Sequence, residues 1–227
     1  MSAQQGLLEI LLKTPVIPVI SLDSASDAAP LARALAAGGL SVIEITLRTA
    51  ASLDAIRAIA SEVESIEVGA GTIIEPAQLE AAMRAGARFA VSPGHTHRLL
   101  DAAEASEIPL LPGVASASEA MSLIERDYRL AKFFPAESAG GVDFLSSLAS
   151  PLPQLRFCPT GGITQQSAPR YLELTNILCV GGSWMAPKDL VSARDWQSIT
   201  TQSRAAAALL AMRQSQRGMR SKITLLT

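Results

Sequence analysis

Eight short apolar runs recur along this 227-residue chain, with centres about 20 to 26 residues apart, the length of one β-loop-α-loop unit. They are VIPVI (16–20), VIEITL (42–47), IEVGAGT (66–72), FAVSP (89–93), PLLPG (109–113), AKFFP (131–135), RFCPTGG (156–162) and ILCVGGS (177–183). The runs are apolar throughout rather than alternating, as parallel strands are when helices cover them. Alanine-rich stretches fill the gaps and predict helices over 27–37, 52–62, 77–85, 96–106, 116–126, 142–149, 166–172 and 195–213. Several carry their own punctuation: Gly38-Gly39 closes the first, and Glu75-Pro76 opens the third. Residues 1–13, with Leu7, Leu8, Leu11 and Leu12, predict an extra N-terminal helix positioned to close one end of a barrel. Eight βα units in one chain predict an α/β fold, a single (β/α)8 TIM barrel over residues 1–213. A doubly wound open sheet is the rival; its GxGxxG fingerprint after the first strand is absent. The tail 214–227 is polar, then weakly apolar, and is expected to be poorly ordered.

Composition narrows the function. At 48% hydrophobic and 18% charged residues, with mean hydropathy +0.28, the chain can bury a large core. A net charge of −2 supplies no basic surface, which argues against nucleic acid or an anionic membrane as the main partner. No apolar run approaches the roughly 18 residues that span a bilayer, and the first residues lack the pattern of a secretory signal. The expected location is the cytoplasm, with Cys158 and Cys179 as buried thiols in strands.

In a barrel of this kind, chemistry sits at the carboxyl ends of the strands, and the unusual residues fall there. Lys132 lies in the apolar run LAKFFPAE, whereas Lys13, Lys188 and Lys222 occupy ordinary polar or terminal settings. An amine held away from water is favoured in its neutral form, which can attack a ketone and form a Schiff base. The competing reading is a strand-end lysine that reaches solvent or pairs with Glu137. Glu44 lies between Ile43 and Ile45, where an acid needs either a partner, such as Arg48, or a task in proton transfer. Arg48 at the end of the same run could grip a carboxylate, or be an ordinary surface arginine. Gly161-Gly162 and Gly181-Gly182-Ser183 end the last two runs, where barrels often bind phosphate through backbone N–H groups. His95 and His97 have a spacing compatible with a metal, but no acidic or cysteine partner lies close in sequence, so they read as a polar loop with no metal. Trp184 and Trp196 read as packing residues.

Taken together, VIEITLRT, GAGT, FAVSPG, LLPG, AKFFPAE, RFCPTGGI and CVGGSW resemble the 2-keto-3-deoxy-6-phosphogluconate (KDPG) and 4-hydroxy-2-oxoglutarate (KHG) aldolases. The resemblance runs from about Thr14 to Arg213. It implies a metal- and cofactor-independent class I aldolase, usually a homotrimer, acting on a small keto-acid phosphate. It implies that Lys132 forms the Schiff base and Glu44 transfers protons. Arg48 and Thr72 would clamp the pyruvate carboxylate. Pro93, Phe134 and Thr160 would contact substrate, and Gly161, Gly162, Gly182 and Ser183 would hold the phosphate.

Overall fold

Runs rich in valine and isoleucine form strands, and the alanine-rich stretches between them form helices, as β-branched and helix-forming residues favour. The structure is a computed structural model that describes residues 3–210. The strands are β1 (Val16–Ile20), β2 (Val42–Thr46), β3 (Glu67–Gly71), β4 (Phe89–Val91), β5 (Leu110–Leu111), β6 (Gly113–Val114), β7 (Leu130–Phe133), β8 (Arg156–Pro159) and β9 (Val180–Gly182). The helices are α1 (Ala3–Leu12), α2 (Ala28–Ala37), α3 (Ser52–Glu62), α4 (Pro76–Arg84), α5 (His97–Glu104), α6 (Ala117–Glu125), α7 (Gly141–Leu148), α8 (Ala168–Leu172), α9 (Lys188–Ser192) and α10 (Trp196–Ala207).

Helix starts follow local chemistry. Thr96 accepts a hydrogen bond from the Leu99 N–H. Ser116 accepts one from the Glu119 N–H, while the Glu119 carboxylate takes the Ala115 N–H at 2.7 Å. These bonds satisfy first-turn donors that have no partner within the helix. The one helix that sequence patterning did not anticipate is α9, five residues long, begun after Pro187.

Every strand pair is parallel. The order is β5-β4-β3-β2-β1-β9 in a six-stranded sheet and β6-β7-β8 in a three-stranded one. The architecture is therefore α/β with a curled parallel sheet. The run PLLPG, expected as one strand, is divided at Pro112 into β5 and β6, because proline has no N–H to give to a ladder. At the other junction, β8 and β9 are joined by isolated bridges, Phe157 to Ile177 and Thr160 to Gly181.

Two cores result. The larger lies between the sheet and its covering helices and includes Val16, Ile43, Ile45, Val68, Ala131 and Phe157. The other gathers Ile17, Val42, Phe89, Leu111, Leu130 and Cys158 from the opposite face of the strands, with Leu7, Ile10 and Leu11 of α1 packed onto it. Alternate residues of one strand thus serve different cores, as Val16 and Ile17 do. The expected N-terminal helix is present. It closes the amino ends of the strands with two fully buried leucines, Leu7 and Leu11, each contributing about 1.5–3 kcal/mol of burial. Cys158 and Cys179 are both buried, as anticipated. The expected tail 214–227 and the end of the expected last helix (211–213) lie outside the described residues. Among the described residues, no helix is long and apolar enough to cross a membrane.

Candidate active site

Lys132 is the third residue of β7, a strand buried along its whole length. Its main-chain N–H donates to the Pro112 carbonyl at 2.8 Å, and it sits in register between Gly113 of β6 and Cys158 of β8. Glu44 is the central residue of β2, in register with Val19 and Gly69. The two strands belong to different sheets, yet Lys132 Nζ lies 3.5 Å from Glu44 Oε1, with both side chains about 95% buried (5% and 4% exposed). The alternative pairings do not form. Arg48 bonds Thr72 instead of Glu44, and Glu137 is exposed, its stem packed against Gly162.

The two form a buried ion pair without a hydrogen bond between them. Glu44 Oε1 is buried and makes no hydrogen bond among the described residues. An oxygen held by an ion-pair contact alone keeps its acceptor capacity for a bound molecule. The position of this carboxylate is set by an absence. A Cβ on Gly71 would stand 2.0 Å from Glu44 Oε1 and 2.6 Å from its carboxyl carbon. Gly71 therefore leaves the niche that the carboxylate fills. On the other flank, the Phe134 ring centroid is 5.2 Å from Lys132 Nζ, within cation–π range.

Arg48 and Thr72 stand together at the carboxyl ends of β2 and β3. The Leu47 N–H continues the ladder to the Gly71 carbonyl at 2.8 Å, and Arg48 Nε then donates to Thr72 Oγ1 at 3.1 Å. Thr72 has φ 62°, a left-handed conformation rare for a β-branched residue and worth of order 1–3 kcal/mol of strain. The Thr49 hydroxyl anchors the loop below by donating to the Leu22 carbonyl at 2.5 Å. The Ser52 hydroxyl does the same to the Thr46 carbonyl at 2.8 Å.

Thr160, directly after β8, is buried and bridges Gly181. Gly161 and Gly162 follow with φ 107° and 79°, values that a side chain would strain. A Cβ on Gly161 would come within 3.4 Å of the Phe134 ring, so this turn lies against the flank of the Lys132 site. Gly182 ends β9 under the Trp184 ring, which makes that tryptophan a packing residue as expected. Ser183 is exposed just beyond. It lines a cavity of about 260 Å³ with Val19, Ser21, Pro187 and Lys188. Pro93 is half-buried in the loop after β4.

Three features escaped sequence reasoning. The reason for Gly71 is a contact with a neighbouring strand, for which its own run carries no signal. The short helix α9 follows Pro187, a helix-start signal that went unused. His95 is no idle loop residue: its Nδ1 is 2.8 Å from the Gly113 carbonyl and its Nε2 is 2.9 Å from Ser122 Oγ. His97 is exposed, the first residue of α5. A cavity of about 620 Å³ opens at the amino ends of the strands, lined by Gln4, Leu8, Pro109, Arg126 and Tyr128 and by none of the assigned residues.

The chain that carries this site has known relatives. The family model of KDPG and KHG aldolases matches residues 7–202. The KHG/KDPG aldolase of Escherichia coli K12 is 49% identical over 197 residues, 87% of this chain and 92% of that protein. Among solved structures, the KDPG aldolase of Legionella pneumophila, with pyruvate captured as a covalent carbinolamine, superposes with TM-score 0.87 at 43% identity, covering 91% of this chain and 98% of the other. The Zymomonas mobilis ZM4 enzyme with 3-phosphoglycerate gives 0.87 at 45% identity, covering 92% and 97%. With a profile matched along most of its length and relatives at nearly half identity, the chain belongs to the KDPG and KHG aldolase family.

Proposed function

We propose that this chain is a class I aldolase that cleaves KDPG to pyruvate and glyceraldehyde 3-phosphate through a Schiff base on Lys132. The observation that carries the reading is the buried Lys132–Glu44 pair, 3.5 Å apart, in a chain whose relatives bear that activity in their names. The Lys132 amine attacks C2 of the keto acid, and Glu44 relays the proton that the amine gives up to the new alkoxide, which completes a carbinolamine. A second proton, drawn from solvent through Glu44, is given to the hydroxyl; water leaves, and an iminium remains. The iminium withdraws electrons from C3. Glu44, directly or through a water, removes the C4 hydroxyl proton, the C3–C4 bond breaks, and the aldehyde departs. The enamine left on Lys132 is protonated at C3, and water hydrolyses it to pyruvate and free amine.

Arg48 and Thr72 hold the substrate carboxylate, and Phe134, Pro93 and Thr160 line its path. The phosphate sits against the N–H groups of Gly161, Gly162, Gly182 and Ser183. Grip on this distant group supplies binding energy remote from the breaking bond. KHG, which lacks a phosphate, is a second substrate on this reading, since the E. coli relative carries both names. Borohydride reduction in the presence of pyruvate, followed by peptide mass, tests the reading. A pyruvate-derived adduct on Lys132 is expected. Folded protein with no adduct would point instead to a barrel that binds or isomerises a sugar phosphate without covalent chemistry.

A carboxylate clamp has its own signature. Arg48→Lys keeps the charge but loses the planar fork. It should raise KM for KDPG about 10- to 100-fold, the worth of one charged hydrogen bond, with kcat changed far less. Steady-state kinetics showing an unchanged KM would remove Arg48 from the role.

The same reading joins the two sheets into one (β/α)8 barrel. In its support, β5 and β6 are consecutive around Pro112, and parallel bridges link β8 to β9. The resemblance also carries a homotrimer, and the two buried thiols support a cytoplasmic location. Light scattering should then return three times the 23.8 kDa chain mass, and a monomer or dimer would refute the trimer.

A further inference from the structure

We propose that His95 is a positioning residue for the Lys132 amine, acting through Gly113; this rests on the assignment of Lys132 as the Schiff-base lysine. The place to look is the seam beside β6. On one side, β6 sets the strand that carries the lysine. The Pro112 carbonyl accepts the Lys132 N–H at 2.8 Å and the Val114 carbonyl accepts the Phe134 N–H at 3.0 Å, with Gly113 directly opposite Lys132.

On the other side, β6 has no strand partner, being the edge of its sheet. The last main-chain bond across this seam runs from the Ser92 N–H to the Leu111 carbonyl at 3.2 Å. The next donor of such a ladder would be Gly94, two residues on, and among the described residues its N–H makes no bond to the Gly113 carbonyl. Side chains of the loop after β4 take over. Ser92 Oγ accepts the Gly113 N–H at 3.4 Å. His95 Nδ1 stands 2.8 Å from the Gly113 carbonyl; a carbonyl only accepts, so Nδ1 is the donor. The ring is braced from behind by Ser122 Oγ on α6, 2.9 Å from Nε2. The backbone of Gly113 also touches that loop, since a Cβ there would meet the Pro93 carbonyl carbon at 2.3 Å.

A two-residue edge strand with a buried, undonated carbonyl would shift to find a partner. Any shift of β6 moves the main chain of Lys132 and Phe134 with it. The His95 imidazole thus replaces a missing rung of the ladder and holds the Lys132 strand in register from the far side. Misplacement of the amine by about 1 Å is enough to slow attack on C2 substantially.

Three variants separate this role from mere packing. His95→Phe fills the ring's space with no donor. It should lower kcat for KDPG, and the rate of borohydride-trappable adduct formation with pyruvate, about ten-fold, with KM within about two-fold, since the carboxylate and phosphate contacts stay intact. His95→Asn places an amide donor where Nδ1 lies and should recover most of that loss. His95→Gln places its donor where Nε2 lies and should not; it replaces the phenylalanine variant if that one fails to fold. Equal rates for the wild type and His95→Phe overturn the inference, and so does His95→Asn performing no better than His95→Gln. Absence of any adduct in the unmutated chain overturns the aldolase reading, and this inference falls with it. A wild-type adduct with indifferent His95 variants sinks the inference alone.

Discussion

Lys132→Ala should lower kcat for KDPG by four orders of magnitude or more, the scale on which loss of a covalent nucleophile is felt (~10⁴–10⁶). The cause is specific. Without the amine no carbinolamine forms, and the charge left by breaking C3–C4 has no iminium to enter. The variant carries a second, separable consequence. Removing one member of a buried pair leaves the Glu44 carboxylate without its counter-charge, at a cost of about 3–5 kcal/mol. A lower melting temperature is therefore expected alongside lost activity. The double variant Lys132→Met with Glu44→Gln should recover much of the stability and none of the turnover. Thermal melts and trapping assays on the three proteins check both halves. Retention of more than about a hundredth of wild-type kcat by folded Lys132→Ala protein would falsify the Schiff-base assignment.

Gly71→Ala is the more unexpected of the large effects, because the residue bears no functional group. Its new methyl would overlap the Glu44 carboxylate, with only 2.0 Å between Cβ and Oε1, so the carboxylate must move or the strand must shift. A displaced proton-transfer group loses about 10²-fold in kcat. Glu44→Gln, which keeps the shape and removes the proton acceptor, should lose about 10²–10⁴-fold. The two substitutions disable the same group, so their combination should cost little more than Glu44→Gln alone. A full multiplicative loss in the double variant would mean that Gly71 acts through something other than Glu44. So would an unaltered pH–rate profile in either single variant.

Much of this was legible in the chain because the barrel-like spacing alone sends every strand's carboxyl end to one face. Lys132, Glu44, Arg48, Thr72 and the two glycine turns could be placed on that face from run boundaries only. Which residue meets which was another matter. For Glu44 the pattern offers Arg48, close in sequence, and Lys132, far from it, and for Lys132 it offers Glu137; the structure pairs Glu44 with Lys132 from the other sheet. Such a pairing depends on how far the sheet curls, and local pattern does not encode curl. The division of PLLPG was readable in principle from Pro112, whose ring removes a ladder donor. The duty of His95 was not. It depends on a carbonyl 18 residues further along the chain that has no main-chain donor because the ladder from β4 stops at Ser92.

The pairing of the first strand with the last sets the order in which the chain can be finished as it is made. Val16 and Ile17 of β1 rest against Val180 and Gly181 of β9. Until the ribosome has delivered residue 180, that edge of β1 has a row of peptide groups with no partner. At 5–20 residues per second the interval lasts on the order of ten seconds. An unpaired edge is a template for any neighbouring strand, so a nascent chain of this topology is exposed to misassembly for as long as the strands between β1 and β9 are being made. The helix that precedes β1 can shelter the amino ends of the strands throughout that time, but not the open edge.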